Sequence, residues 1–204
     1  MKIAVIGASG NVGQRLVREA RSRGHEVVAI ARDASKIAPQ NGVEVVQGDI
    51  ANAADAEAAL AGADAAILSI RFQGTDFDKV IGAIKESGVP KLLVVGGAAS
   101  LEIAPGKVLL DQPDFPDFIK PEATPARAAL DKLRTTEKEL DWTFLSPSVF
   151  FEPGERTGNF RLGKDQLLTA DSGRSSISYE DYSIAALDEL ENPKHSRQRF
   201  TVGY

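Results

Sequence analysis

A chain of 204 residues is long enough to bury a full core and short enough to be read as one domain. Its 24 Lys and Arg against 29 Asp and Glu leave a net charge of −5, which argues against a nucleic acid or an anionic membrane as the main partner. The lack of any cysteine rules out disulfides, thiolate catalysis and cysteine metal sites, and two histidines far apart in sequence, His25 and His195, give no basis for a metal centre. No apolar run is long enough to span a bilayer, and residues 1–6 read as a strand rather than a signal peptide, so a cytoplasmic protein is expected.

The first predicted element is an apolar strand, Lys2 to Ile6, running straight into Gly7, Gly10 and Gly13. Gly7 lets the chain leave the strand in a tight turn, Gly10 removes a side chain where a pyrophosphate approaches the backbone, and Gly13 lets the following helix pack closely on the strand. A helical pattern follows through Val12, Leu16, Val17 and Ala20. Its first amides, around Ser9, Gly10, Asn11 and Val12, would face a phosphate pair with the helix dipole behind them. Three glycines alone are weak evidence; a strand before and a helix after turn them into a dinucleotide cradle.

The second strand, His25 to Ala31, decides between cofactors. An acidic residue at its tip holds the ribose hydroxyls of NAD, whereas an arginine accommodates the extra phosphate of NADP. The tip reads Arg32 Asp33 Ala34 Ser35 Lys36. The fork of Arg32 suits a phosphate, Ser35 and Lys36 can add a hydroxyl and a charge, and Asp33 keeps NAD open. NADP is therefore the expected cofactor, with NAD as the alternative.

Strands and helices then alternate: a strand at Glu44–Gln47, a helix from about Ala54 to Leu60, a strand at Ala65–Ser69, a helix from about Asp76 to Ser87 and a strand at Lys91–Val95. Such alternation specifies an α/β, doubly wound fold: a mostly parallel sheet of about seven strands with helices on both faces. Two longer loops, 98–121 and 147–178, are expected on the substrate side of the single domain 1–204, since loops of that length usually cover a site. Between and beyond them the pattern predicts a helix from about Thr124 to Glu139, a strand at Trp142–Ser146, short strand-like pieces after a glycine-containing loop, a helix from about Glu180 to Leu190 and a last strand at Arg199–Val202. Asp111, Asp114 and Asp117 sit among prolines and phenylalanines and read as a rigid solvated loop rather than a cation site.

With these residues in view, the strings Gly7–Gly13, Arg32–Lys36, Gln47–Ile50 and Val94–Leu101, together with Asp141–Ser148, Pro153–Gly158 and Arg197–Phe200, resemble the atypical short-chain dehydrogenases. Within them the chain is most similar to the NADH-flavin reductase group, related to flavin and biliverdin IX-beta reductases and more distantly to NmrA-like proteins. The resemblance covers nearly the whole chain. It implies a doubly wound Rossmann fold that binds NAD(P), with Asp49 and Ile50 at the adenine, Ile70 and Arg71 beside the ribose and phosphates, and Gly96, Gly97 and Ala98 with Pro147, Ser148 and Val149 around the nicotinamide. The Tyr with a Lys four residues later, typical of the wider superfamily, is missing: Tyr179 is followed at that spacing by Ser183 and Tyr182 by Ala186. The histidine of biliverdin-type reductases is replaced by Val149 in this comparison, so no catalytic acid is assigned.

A conjugated hydride acceptor, a flavin or a quinone, needs little help from a protein acid. Phe150 and Phe151 are candidates to stack on such a ring, Arg156 to hold a flavin phosphate or carboxylate, and Ser100 to hydrogen-bond the nicotinamide amide or the acceptor. Each also has a plain reading: core packing, a surface charge, and a turn serine bonded to its own backbone. Lys120, ahead of the predicted Thr124 helix, is a further candidate contact. The missing acid-base pair keeps a second class open, a non-enzymatic NADP-binding redox sensor of the NmrA-like type.

Overall fold

β1 (Lys2–Ile6) is buried from Ile3 onward on both faces, as a central parallel strand must be. The computed structural model describes residues 1–204. After β1 come α1 (Asn11–Ser22), β2 (Glu26–Ala31), β3 (Val43–Gln47), α2 (Ala53–Leu60), β4 (Ala65–Leu68), α3 (Phe77–Glu86) and β5 (Lys91–Val95). A small hairpin, β6 (Glu102–Ala104) with β7 (Lys107–Val108), leads to α4 (Lys120–Thr136) and β8 (Asp141–Ser146). The chain finishes with β9 (Phe150–Glu152), β10 (Arg161–Gly163), β11 (Ser176–Ser178), α5 (Tyr179–Glu191) and β12 (Gln198–Gly203).

Eight strands form the main sheet in the order β10-β12-β8-β5-β4-β1-β2-β3, all parallel except β10 at one edge. β1 lies between β4 and β2, so the strand order reverses at β1, and a crevice opens beyond the carboxyl ends of the strands there. One face buries α2, α3 and α4 around Leu68, Leu92, Trp142 and Phe144; the other buries α1 and α5 around Ile3, Ile67, Tyr182 and Phe200. Helices on both faces explain why the inner strands read as continuous apolar runs.

Three expectations need correction. The sheet has eight strands against about seven expected: one of the short strand-like pieces of the stretch 147–178, β10, with Arg161 and Leu162 exposed, adds an edge strand to it. The stretch 98–121 is folded into short helical turns at Ala98–Ser100 and Leu109–Asp111 around the β6–β7 hairpin. α4 begins at Lys120, four residues ahead of the expected Thr124, and ends at Thr136, where Glu137 takes over by accepting the Glu139 and Leu140 amides. Pro121 sits in its first turn, where a missing N–H costs nothing.

The tandem Pro-Asp-Phe, 113–115 and 116–118, treats its two aromatic rings differently: Phe115 is buried while Phe118 is 84% exposed. At the start of α5 the buried carboxylate of Asp181 accepts the amides of Thr157 and Gly158 and the hydroxyls of Thr157 and Tyr204. One buried acid thus fixes the return loop to the helix, its charge satisfied by four donors.

Candidate functional site

The turn after β1 is built as its glycines require. Gly7 has φ +81°, and a Cβ there would lie 2.0 Å from the Ser69 carbonyl oxygen; a Cβ on Gly13 would lie 2.2 Å from the Gly7 carbonyl oxygen. Gly10 is the cap of α1 and offers no side chain to it, and the first turn carries no acid. The amides of Ser9, Asn11, Val12 and Gly13 find no acceptor in the protein. Four free N–H groups at the start of a twelve-residue helix, with a backbone too tight for any Cβ, fit a pyrophosphate. These residues would hold the phosphates of a dinucleotide.

From this cradle extends a crevice of about 600 Å3. Its walls come from the carboxyl ends of successive strands: Ser9 to Val12 after β1, Ser69, Ile70 and Arg71 after β4, Gly96, Gly97, Ala98 and Ser100 after β5, and Pro147, Ser148, Val149 and Phe151 after β8. Gly96 is forced by the core beneath it, since a Cβ there would lie 2.1 Å from Cε1 of Phe144. Phe151 meets Tyr179 edge-on at 4.7 Å and tilts against Tyr182, also at 4.7 Å. Ser148 is committed by its hydroxyl, which donates to the Val202 carbonyl at 3.1 Å.

The far wall was not legible as a site. Leu109, Phe115, Ile119, Ala123, Ala126 and Arg127 close the crevice opposite the cradle. The carboxylate of Glu122 accepts the amides of Phe72 (2.8 Å) and Gln73 (2.9 Å), fastening the segment after β4 to the first turn of α4. Arg127 pairs with Asp111 at 2.6 Å. The length of the loop was the one available signal; its packing direction was not in the sequence.

A cluster of charged side chains sits at the tip of β2. Asp33 accepts the Ser35 hydroxyl at 2.6 Å and pairs with Lys36 at 3.2 Å; the Ser35 bond first, then Lys36, holds its carboxyl below the usual value. Ser35 and Lys36 are thereby spent on Asp33, and the exposed Arg32 has no partner in the protein. Asp49 and Ile50, in the turn between β3 and α2, do not line the crevice: Ile50 packs in the core and an Asp49 carboxylate oxygen accepts the Ala51 amide.

Two residues expected at the acceptor pocket, and one further candidate, lie elsewhere. Arg156 makes a two-pronged pair with the buried Glu19 of α1, both contacts 2.8 Å, because an uncompensated carboxylate in that face of α1 would be costly. Phe150 points outward under the guanidinium of Arg174, 4.0 Å from the ring centre, since strand alternation sends Phe151 the other way. Lys120 pairs with Asp117 at 2.7 Å outside the crevice.

The Arg156 pair carries a prediction. Its hydrogen bond to Glu19 is the foremost reason that carboxyl titrates below its usual range, so the stabilisation is present above the unfolded carboxylate value and lost as pH falls through the depressed one. Arg156→Ala is expected to cost about 1 kcal/mol at neutral pH, a small figure because the arginine is half exposed, with a deficit that shrinks on acidification. Urea melts at several pH values check it, and an unchanged acceptor KM is expected; a raised KM would return Arg156 to the site.

A glycine turn at the strand-order reversal, free helix amides and a crevice at the carboxyl ends define a dinucleotide-binding Rossmann protein. The profile of the NAD(P)H-binding family matches residues 7–193. The chain therefore belongs to that family, within the atypical short-chain dehydrogenase superfamily. It is 42% identical to the uncharacterized protein YwnB of Bacillus subtilis, over 99% of this chain and 98% of that one. Among solved structures it is similar to a candidate epimerase from Bacteroides thetaiotaomicron (41% identity, TM-score 0.94, 100% of this chain and 96% of the other). It is also similar to a candidate NADH-flavin reductase from Streptococcus pneumoniae (38%, TM-score 0.85, 100% and 99%).

Proposed function

We propose that the protein is an NAD(P)H-dependent oxidoreductase, preferring NADPH, that transfers hydride to a flavin, a quinone or a similar conjugated acceptor. The observation that carries this reading is the make-up of the crevice. It is mostly apolar and holds no Tyr, His, Lys or Asp; its one carboxylate, Glu122, is committed to two backbone amides. Arginine stays charged and gives up no proton. Of the two tyrosines packed on Phe151, Tyr182 is fully buried with its hydroxyl donating to the Leu145 carbonyl at 2.8 Å, and burial pushes its pKa well up, while Tyr179 lies edge-on to Phe151 beneath the Arg15 guanidinium and does not line the crevice. A site without a free acid suits an acceptor whose ring spreads the incoming charge and takes its proton from water. A bound reduced nicotinamide supplies the hydride; the protein's part is to orient both rings and exclude water between them.

The preference for NADPH rests on Arg32, the unpaired cation at the β2 tip beside an Asp33 already satisfied. The likeness to a candidate NADH-flavin reductase supports a flavin among the acceptors.

Following NADPH and NADH oxidation by their absorbance, with FMN, riboflavin and a simple quinone in turn, tests the reading. Saturable turnover with NADPH favoured is expected. The same lack of a proton donor favours a second reading, a redox sensor that binds NADP without chemistry, and tight cofactor binding with no turnover on any acceptor would replace the first with the second.

A further inference from the structure

Behind the crevice wall lies a buried cation, Arg199, that reaches a residue of the crevice as well as the ion pair that joins it to Asp165. Arg199 of β12 is 4% exposed, between the exposed Gln198 and the buried Phe200. Its Nε and Nη2 donate to one carboxylate oxygen of Asp165 at 2.9 and 2.6 Å, and Arg134 of α4 reaches the same oxygen at 2.6 Å. Its Nη1 donates to the hydroxyl oxygens of Ser100 (3.2 Å) and Ser146 (3.3 Å), and Nη2 to the Ser100 carbonyl at 3.4 Å. An apolar residue would fill such a position at no desolvation cost, whereas a buried ion pair often stabilises no better than packed hydrocarbon. The charge therefore has another use.

That use lies at Ser100, which lines the crevice at the end of the turn after β5. The guanidinium occupies its hydroxyl oxygen from behind, and no protein atom accepts its hydrogen. Ser148, Ser178 and Ser183 differ in that each donates to a carbonyl. A hydroxyl with one lone pair facing a fixed cation, and whose hydrogen is free, is biased toward donating, and the charge behind it strengthens the bond it donates.

We propose that Arg199 is a positioning residue that makes Ser100 a dedicated hydrogen-bond donor to a carbonyl oxygen of the acceptor, one conjugated with the atom that receives hydride. The assignment rests on the reductase reading above and narrows the acceptor to carbonyl-bearing conjugated rings. The hydride brings two electrons and one proton from the reduced nicotinamide, which is left oxidised. The acceptor's π electrons move onto the carbonyl oxygen as it becomes negative. Ser100 holds that oxygen and keeps its own proton, and the proton that completes the reduction comes from solvent. Donors aimed at the place where charge develops lower the barrier without altering cofactor binding.

The test uses riboflavin as probe, with Ser100→Ala, Ser100→Thr, Arg199→Lys and Arg199→Gln. Riboflavin bound without nicotinamide is expected to show a carbonyl infrared band at lower frequency in wild type, Ser100→Thr and Arg199→Lys than in Ser100→Ala and Arg199→Gln. In turnover, kcat of Ser100→Ala is expected to fall about tenfold with KM for NADPH within about twofold of wild type. If Arg199→Gln does not fold, the two Ser100 variants decide. Riboflavin that binds and is reduced, yet shows the same carbonyl band in wild type and Ser100→Ala, overturns the proposal and leaves the reductase standing. A KM for NADPH that rises with the fall in kcat would make Ser100 structural and also overturn it. Riboflavin that neither binds nor turns over, with the quinone turned over, removes the flavin as acceptor and overturns this assignment; no turnover on any acceptor removes the reductase reading as well.

Discussion

Gly7→Ala is expected to lower stability by about 3 to 5 kcal/mol, combining overpacking with a left-handed backbone that alanine adopts at a cost. The added Cβ would stand 2.0 Å from the Ser69 carbonyl oxygen, backbone that cannot swing aside, at a φ of +81°. For a chain of 204 residues that corresponds to a Tm lower by about 10 °C, a large part of a normal folding free energy. Whatever protein remains folded has to move β1 away from β4, the two strands that frame the cradle, and dinucleotide affinity is expected to fall at least about tenfold with it. Gly82→Ala is the matching control: it lies inside α3 with no atom within 4 Å of its would-be Cβ, so the same change there is expected to add about 0.5 to 1 kcal/mol. Thermal melts of the two variants check both signs, and a Gly7→Ala protein that melts with wild type would show that the turn is not strained as described.

Arg32→Ala is expected to separate the two cofactors. A charge-assisted contact contributes about 1.5 to 3 kcal/mol, so NADPH affinity should fall about 10- to 100-fold while NADH affinity holds within about twofold. Stability should not change, because the side chain is exposed and pairs with nothing. Added salt should narrow the NADPH advantage of the wild type, since an exposed phosphate contact is screened. Titration of each cofactor by its fluorescence measures all of this, and equal losses for both would remove Arg32 from cofactor selection.

The cradle was readable because its causes are local. Gly7, Gly10 and Gly13 answer to a backbone turn, a strand before it and a helix after it, all within the same short stretch. The inner strands were readable because burial on both faces leaves unbroken apolar runs such as Ala65–Leu68. What escaped depends on distance. Arg156 looked like a ligand group until Glu19, 137 positions away, claimed it. Phe150 and Phe151 are equivalent in sequence, and only the pairing of β9 with β11 decides which ring turns inward. Arg199 stands in a predicted strand with nothing in its neighbourhood to say that a serine after β5 lies against it. The start of α4 was hidden for a different reason: Pro121 biases a reading toward loop, and a proline in a first helical turn looks the same in sequence as one in an irregular segment.

The far wall of the crevice enters from β5 and returns to β8 within one continuous stretch, residues 96–140, and those two strands pair directly from Lys91 with Asp141 to Val95 with Leu145. The scaffold is thus already stitched together underneath the segment that lines this side of the crevice. A change of length in the exposed β6–β7 hairpin therefore need not shift the register of β5 on β8, whereas α4, packed in the core through Ala126, Ala129, Leu130 and Leu133, belongs to the scaffold itself.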